Sequence, residues 1–311
     1  MVSTIVFCSP DSLLHQTGPT HPESAARYQT ILSELNRWGG VPIEECRRIE
    51  EKWLFLCHDR DYVRKVRREC SCLGSDEVTA LSTGDTMISR GSYRAAVAAI
   101  GAALTAADGV MSGQCRNGFV VVRPPGHHAS KCIGMGFCLF NTVAILARYL
   151  QREYGLRRIA IVDWDVHHGN GTESLLGNDP SILYWSTHEQ GSYPGTGNES
   201  HGTCHCFPIT PGPDSRKRLL ELYQEQLPEL LTSFKPEFIL ISCGFDAHRE
   251  DLLGHLGLET SDFGLLTEAV RQVADRVCYG RLLSILEGGY CLEAIAASSL
   301  AHVKALEHLH H

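Results

Sequence analysis

The chain has 311 residues, 43% of them hydrophobic and 21% charged, with 28 Lys and Arg against 36 Asp and Glu for a net charge of −8. This is globular composition rather than that of a disordered or fibrous chain. The acidic balance argues against general nucleic-acid binding, which needs a basic face to neutralise phosphates.

The chain opens on MVSTIVFC, an apolar run too short for a signal peptide and without a basic lead, so a first strand is expected there. No stretch is expected to approach the length needed to span a bilayer. Thirteen cysteines, an odd number with no secretory signal, read as reduced thiols. A cytoplasmic location is the expectation, with the nucleus as alternative if the source is eukaryotic. Arg64, Lys65, Arg67 and Arg68 read as the solvated face of a helix rather than a docking patch. Cys70/Cys72 and Cys204/Cys206 form C-x-C pairs with no C-x-x-C to accompany them, which favours free thiols over a structural zinc.

From residue 93 onward, helical and strand patterns alternate. YRAAVAAIGAALTAA (93–107) reads as a helix, NGFVVVRPPG (117–126) as a buried strand and NTVAILARYLQREY (141–154) as a helix. The strands RRIAIVDWDV (157–166) and SILYWSTH (181–188) precede one long helix over 215–234. The strand EFILISCGFD (237–246), a helix over 265–278 and the strand LLSILEGGY (282–290) complete the series. Continuously apolar strands alternating with helices predict an α/β fold with a mainly parallel sheet covered on both faces. No repeat, low-complexity segment or long linker breaks the chain, so a single domain over 1–305 is expected. The final LEHLHH (306–311) is set aside as a tag-like tail.

Four strands run directly into polar or glycine-rich sequence: RPPGHH, DWDVHHGNG, CGFDAH and EGGY. In open parallel sheets the carboxyl ends of the strands border the ligand crevice, so these segments are expected to meet at one edge. Strand alternation puts Asp163, Asp165 and His167 on one side if the strand persists that far, and Trp164, Val166 and His168 on the other. Asp165 and His167, joined by Asp246, give two oxygens and one nitrogen. Three protein ligands with a position left open is the arrangement of a catalytic divalent metal, and the oxygen-rich set suits iron(II) more than a thiolate site would. A single Asp-x-His would read as a salt-bridged histidine; four converging strand ends make the metal reading the better one. The tandem His127–His128 then suits proton handling rather than further ligation, with Asp163 orienting one ring. Tyr290 offers a phenol to a developing oxyanion.

Together, RPPGHHA…GMGFCLFNTVAI, IVDWDVHHGNGT, YPGTG, SCGFDAHREDLLG and LEGGY resemble the histone deacetylase and acetylpolyamine amidohydrolase superfamily, in the family's order from about residue 15 to 300. The resemblance implies an arginase–deacetylase fold with a central sheet of about eight strands. It implies zinc ligands Asp165, His167 and Asp246, a general base and acid at His128, and His127 as its electrostatic partner bonded to Asp163. Tyr290 matches the tyrosine that polarises the substrate carbonyl. Phe137 and Tyr193 match the aromatics walling an acyl-lysine tunnel, which Gly136 also lines. Arg27 matches the arginine bordering an acetate exit. Asp163, Asp165, His167, Ser186 and Thr187 match a monovalent-cation site, usually potassium. Asn170 stands where one branch has Asp, as in class II and bacterial members, and an amide raises the pKa of its histidine partner less than a carboxylate does. Leu253 matches a gatekeeper that is Glu in the polyamine-selective branch, which tilts the expectation toward acyl-lysine; HREDLLG departs from the usual loop, so its register is open. Asp85 is a loose match to a rim aspartate that grips substrate amides.

The expected activity is metal-assisted hydrolysis of N6-acetyl-lysine in a histone-like or other protein to lysine and acetate. An acetylpolyamine amidohydrolase and a non-catalytic acyl-lysine binder are the alternatives. A two-metal ureohydrolase is disfavoured because its two-metal cluster needs another Asp two residues past the histidine, where Gly169 stands.

Overall fold

Strand sequences such as FILISC and IAIVD carry no polar face, so they are stable only with both faces covered. The computed structural model, described over residues 2–307, meets that demand. In chain order the elements are β1 (Val2–Cys8), α1 (Ala25–Trp38), β2 (Ile43–Glu45), α2 (Arg60–Cys72), β3 (Val78–Ala80), β4 (Met87–Ser89), α3 (Ser92–Ser112) and β5 (Cys115–Val121). There follow α4 (Thr142–Tyr154), β6 (Ile159–Asp163), α5 (Asn170–Leu176), β7 (Ile182–Glu189), β8 (Cys204–Ile209), α6 (Ser215–Glu221), α7 (Leu227–Phe234), β9 (Phe238–Cys243), α8 (Thr260–Val277), β10 (Leu282–Leu286) and α9 (Leu292–Glu307).

Eight strands form one sheet in the order β2-β1-β5-β10-β9-β6-β7-β8, every neighbouring pair parallel. β3 and β4 form a separate antiparallel hairpin. Alternation along each strand divides the interior into two cores. Ile159, Ile161, Phe238 and Leu240 face one, against α2, α3 and α4. Ala160, Val162, Ile239, Ile241 and Cys243 face the other, against α1, α7, α8 and α9.

Several boundaries differ from those expected, each for a local reason. The strands at 117–126, 157–166, 237–246 and 282–290 end earlier, at Val121, Asp163, Cys243 and Leu286, because their polar tails turn into the crevice. The helix expected over 93–107 runs on to Ser112, where Gly113 closes it in the left-handed conformation. That 21-residue helix is long and apolar enough to cross a membrane, contrary to expectation, but 78% of its apolar window is buried inside the protein. Gly101 at its middle lies against the chain at Arg48: a Cβ there would sit 1.8 Å from the Arg48 carbonyl oxygen. The helix over 215–234 is continuous but contains a π-turn, Leu222–Gln226, just before Pro228, whose missing N–H leaves the preceding turn one bond short. α8 starts at Thr260, five residues early, because Glu259 and Asp262 form a reciprocal capping box. Leu306 is buried in the core and its carbonyl accepts from Asn117 Nδ2 at 3.2 Å, so the tail does not begin there; residues 308–311 of that expectation lie outside the described ones. All thirteen cysteines are free thiols.

Two further imidazoles are buried outside the cavity lining. His58 Nε2 accepts from Asn141 N at 2.9 Å, and His302 Nδ1 lies 2.6 Å from Thr267 Oγ1. Burial pushes His58 down to about 4 and His302 down to about 3. Between the ordinary histidine value of about 6.5 and those values the unfolded chain holds more protons, so stability falls as pH falls through that window. Urea unfolding should show the midpoint dropping from pH 6.5 toward 4, with a shallower slope in His302→Gln. A slope unchanged by that substitution would remove the buried imidazole as its source.

Candidate active site and metal centre

The four strand ends singled out above belong to β5, β10, β9 and β6, which are consecutive in the sheet. β6 stops at Asp163, so alternation does not place Asp165 and His167. The turn is held by carboxylates that accept backbone N–H groups. Asp163 Oδ1 accepts from Asp165 N at 3.2 Å, Asp165 Oδ1 from His167 N at 2.9 Å, and Asp246 Oδ1 from Val166 N at 2.9 Å.

These bonds bring Asp165, His167 and Asp246 together, all buried, with ligand atoms within 4.8 Å of one another. His167 Nδ1 lies 3.0 Å from Asp165 Oδ1 and 3.2 Å from Asp246 Oδ2. Apart from the His167 ring 3.2 Å away, buried Asp246 Oδ2 has no hydrogen-bond partner among the described residues, a state costly for a carboxylate oxygen unless a cation faces it. Two oxygens and an imidazole nitrogen, with no thiolate, fit a catalytic divalent ion. Burial alone would lower His167, but its bonds to Asp165 and Asp246 push it up to about 11. Burial and the Asp165 charge push Asp246 up to about 7, while His127 and His167 hold Asp165 low against its own burial. The site is short of positive charge.

His127 and His128 sit with ring centroids 4.0 Å apart and titrate in opposite directions. His127 Nδ1 is 3.1 Å from Asp163 Oδ2, which also accepts from Tyr184 at 3.0 Å. Burial opposes protonation of His127, yet the charges of Asp165 and Asp163 push it up to about 10. Burial and the charges of His127 and His167 hold His128 well below the usual imidazole value. His128 Nδ1 lies 2.8 Å from the Asn170 carbonyl Oδ1, an acceptor, so Nδ1 carries the proton and Nε2 keeps its lone pair.

Above these groups opens a cavity of about 290 Å³ lined by His128, His167, Tyr290, Phe137, Tyr193, Gly136, Leu253 and Asp85. Gly136 and Phe137 both take positive φ, 57° and 66°. Gly136 has no substitute there, since a Cβ would lie 2.3 Å from His128 Cδ2. Asp85, on the β3–β4 hairpin tip, accepts from Gly136 N at 2.7 Å. Leu253 does line the cavity despite its altered loop. Arg27 is fully buried, its guanidinium 4.9 Å from the Tyr290 ring centroid, and donates to the carbonyls of Glu287 and Gly289. Ser186 is the register partner of Asp163, and Ser186 and Thr187 lie buried on β7 beside the 163–167 turn. Their hydroxyls engage His188 and Tyr223. Gly169 has no room for a further ligand: its Cβ would lie 2.4 Å from Asp163 Oδ2 and 2.5 Å from the Tyr184 hydroxyl.

Four groups escaped the sequence reading. Asp251 Oδ2 accepts from the backbone N of Tyr290 at 2.6 Å and of Cys291 at 3.0 Å, which positions the tyrosine. Glu287 Oε2 accepts from Gly126 N and His127 N at 2.7 and 3.1 Å. Glu23 binds Arg123 through both carboxylate oxygens and Arg27 through one. Tyr184 pins Asp163. Asp251 and Glu287 carried a local signal, as carboxylates in segments already placed at the crevice, Glu287 being the first residue of EGGY.

The histone deacetylase domain family matches residues 21–306. A probable deacetylase of Archaeoglobus fulgidus is 34% identical, the match covering 98% of this chain and 86% of that protein. Chloroplastic histone deacetylase 14 of Arabidopsis thaliana is 35% identical over 96% of this chain and 75% of its own length. The mouse polyamine deacetylase HDAC10 is 36% identical over 85% of this chain and 41% of its own length. Among solved structures, the HDA15 HD domain superposes with a TM-score of 0.88 at 34% identity, covering 98% of this chain and 88% of that one.

Gly288 supplies a direct test of the metal centre. A Cβ there would stand 2.0 Å from Asp246 Oδ2 and 2.6 Å from Asp165 Oδ2. Gly288→Ala should weaken metal retention by roughly 10–100-fold, the scale of a disturbed ligand support, with far-ultraviolet circular dichroism unchanged. Undiminished metal content by elemental analysis would separate the ion from this ligand set.

Proposed function

The chain belongs to the histone deacetylase domain family and is an amide hydrolase; from that premise we propose that it is a zinc-dependent deacetylase that cleaves the N6-acetyl amide of lysine in a protein or peptide. The observation that carries this reading is the convergence on one cavity floor of a three-donor metal set, the neutral His128 and the Tyr290 phenol. Asp165, His167 and Asp246 are the proposed ligands, with iron(II) the alternative ion. Bound there, a divalent ion supplies Lewis acidity to the amide carbonyl and to water.

The protein's own residues divide the remaining work. His128 takes the proton of the attacking water at Nε2 and returns it to the departing lysine amine, its Nδ1 proton fixed by Asn170. His127, kept cationic by Asp163 and Asp165, faces the negative charge that develops. Burial holds the Tyr290 phenol protonated, so it donates to the oxyanion. Phe137 and Tyr193 are the proposed walls for the lysine stem, along Gly136. Asp85 spends Oδ1 on Gly136 N and is the proposed grip on substrate backbone amides through its other oxygen. Arg27, beneath Tyr290, is the proposed border of the acetate path. Asp163, Asp165, His167, Ser186 and Thr187 are the proposed seat of a potassium ion.

An apolar Leu253 at the cavity mouth gives no attraction to a polyamine ammonium, which favours acyl-lysine. A panel of acetyl-lysine peptides and N-acetylspermidine, assayed with and without chelator beside metal analysis, should give acetate release that favours the peptide and vanishes on chelation. Peptide binding without acetate release by metal-replete protein would instead favour a binder. Tyr290→Phe should leave metal content intact and lower kcat roughly tenfold or more; a wild-type rate would remove the phenol from the mechanism. Leu253→Glu should shift the kcat/KM ratio toward N-acetylspermidine, and an unmoved ratio would deny that position a gatekeeping role.

A further inference from the structure

Beside the catalytic centre, on the opposite side of the 164–169 turn, lies a second group of metal-ligating side chains that the mechanism does not use. His168 leaves the turn away from the cavity, Glu173 comes from α5, and Cys204 and Cys206 share one face of the edge strand β8. His168, Glu173 and Cys206 have ligand atoms within 4.8 Å of one another, and Cys204 adjoins them through Cys206 and the second oxygen of Glu173. Cys204 Sγ is 3.8 Å from Cys206 Sγ, Cys206 Sγ is 3.6 Å from His168 Nε2, His168 Nε2 is 3.3 Å from Glu173 Oε2, and Glu173 Oε1 is 3.6 Å from Cys204 Sγ.

A tetrahedral zinc with its usual bonds to sulfur, nitrogen and oxygen separates its ligands by about 3.3–3.8 Å, longest between two sulfurs and shortest between nitrogen and oxygen. The four separations here have that size, with Glu173 turning Oε2 to His168 and Oε1 to Cys204, so that an ion would draw Cys204 in toward the triad of His168, Glu173 and Cys206. We propose that Cys204, Cys206, His168 and Glu173 form a second, structural metal site for a zinc-class divalent cation.

Three further features support it. His168 Nδ1 lies 2.8 Å from Thr196 Oγ1, which fixes the ring so that Nε2 points into the cluster, the usual outer support of a metal-bound histidine. His201 Nε2 lies 2.9 Å from Glu173 Oε1 and orients the carboxylate from outside. The cysteines and His168 are buried, whereas the Glu173 and His201 side chains are 21% and 45% exposed, which leaves a path for an ion to enter. Two thiolates select zinc over the hard cations magnesium and calcium. The donors come from the β6–α5 turn, α5 and β8, and Thr196 from the loop that carries Tyr193, so an ion here fastens the edge strand and one wall of the cavity to the catalytic turn.

The alternative is a set of neutral thiols hydrogen-bonded to a histidine and a carboxylate, and cobalt distinguishes the two. The catalytic donors Asp165, His167 and Asp246 include no sulfur, so thiolate-to-cobalt charge-transfer absorption in the near ultraviolet reports the second site alone. Full-length protein purified with zinc under reducing conditions should hold two ions per chain, and its cobalt-reconstituted form should show that band. The double variant Cys204→Ser, Cys206→Ser should lose one ion and the band while keeping the other ion. One ion per chain without the band in the wild type, or a band that survives the double substitution, overturns the site; the wild-type spectrum decides even if the variant fails to fold. Asp246→Ala removes the other ion and leaves the band, so failure here and failure of the deacetylase reading are separate outcomes.

Discussion

The crevice is organised by uncompensated negative charge. Around it five buried carboxylates, from Glu23, Asp163, Asp165, Asp246 and Glu287, meet two buried guanidiniums, Arg27 and Arg123, and two imidazoles pushed toward their cationic form, His127 and His167. An ion bound to the His167 ring would take the place of its proton, leaving three cations against five carboxylates, a deficit of two that a divalent ion would fill. The strain of that shortage falls on the groups left over: Asp246 and Glu287 are both pushed up to about 7, by burial foremost. Where compensation is complete the shift reverses, and Glu23, clasped by Arg123, is held well below the carboxylate range against its burial. Removing one partner from such a buried pair strands a charge, which typically costs about 3–5 kcal/mol. Hence the ligands, the two arginines and the His pair form one electrostatic unit rather than a catalytic set on a neutral frame.

Backbone amides carry much of what the arginines leave. Parallel strands end with N–H groups that have no further ladder partner, and here the turns after β5, β6 and β10 aim those donors at carboxylates. A parallel sheet therefore creates both the concentration of side chains at one edge and the donors that make buried acids tolerable there. The same arrangement explains the two histidines. One lies against Asp163 and gains a proton; its neighbour, a residue later, faces an amide oxygen and two potential cations and loses one. An Asp in place of Asn170 would pull both rings the same way and blur that division.

Much of this was legible in the chain. Continuous apolar runs ending in RPPGHH, DWDVHH, CGFDAH and EGGY announced a parallel sheet with its chemistry at one edge, and the four strands are neighbours in the sheet. Alternation, however, was the wrong reason for the meeting of Asp165 and His167, because β6 ends two residues before the first of them and the turn is shaped by side-chain oxygens. What stayed hidden depends on partners remote in sequence. Glu287 supports His127 across 160 residues, and Glu23 holds Arg123 across 100. Glu23 has no local pattern that distinguishes it from a solvated acid, and Glu287, although it opens the EGGY segment, has none that points to its partner. The long apolar helix α3 was underread only at its end: expected to stop at residue 107, it runs to Ser112 and is closed by Gly113.

The proposed second site follows from the same turn. Consecutive residues after β6 point to opposite sides, so His167 faces the cavity and His168 faces the edge strand. Gly197 permits this, since a Cβ there would lie 2.5 Å from His168 Cδ2 and 2.7 Å from His188 Nε2, and it is the loop from Ser192 to Gly197 that also carries Tyr193 over the cavity. β8 has no strand beyond it, and an edge strand held only by its ladder to β7 is the part of a sheet most easily displaced. A cation shared by β8, α5 and the catalytic turn would secure that edge where a further strand cannot. Two ions would then sit back to back across one stretch of backbone, the inner set sulfur-free with a position open to substrate, the outer set closed by two thiolates, and the difference in donor chemistry is what keeps each ion to its own role.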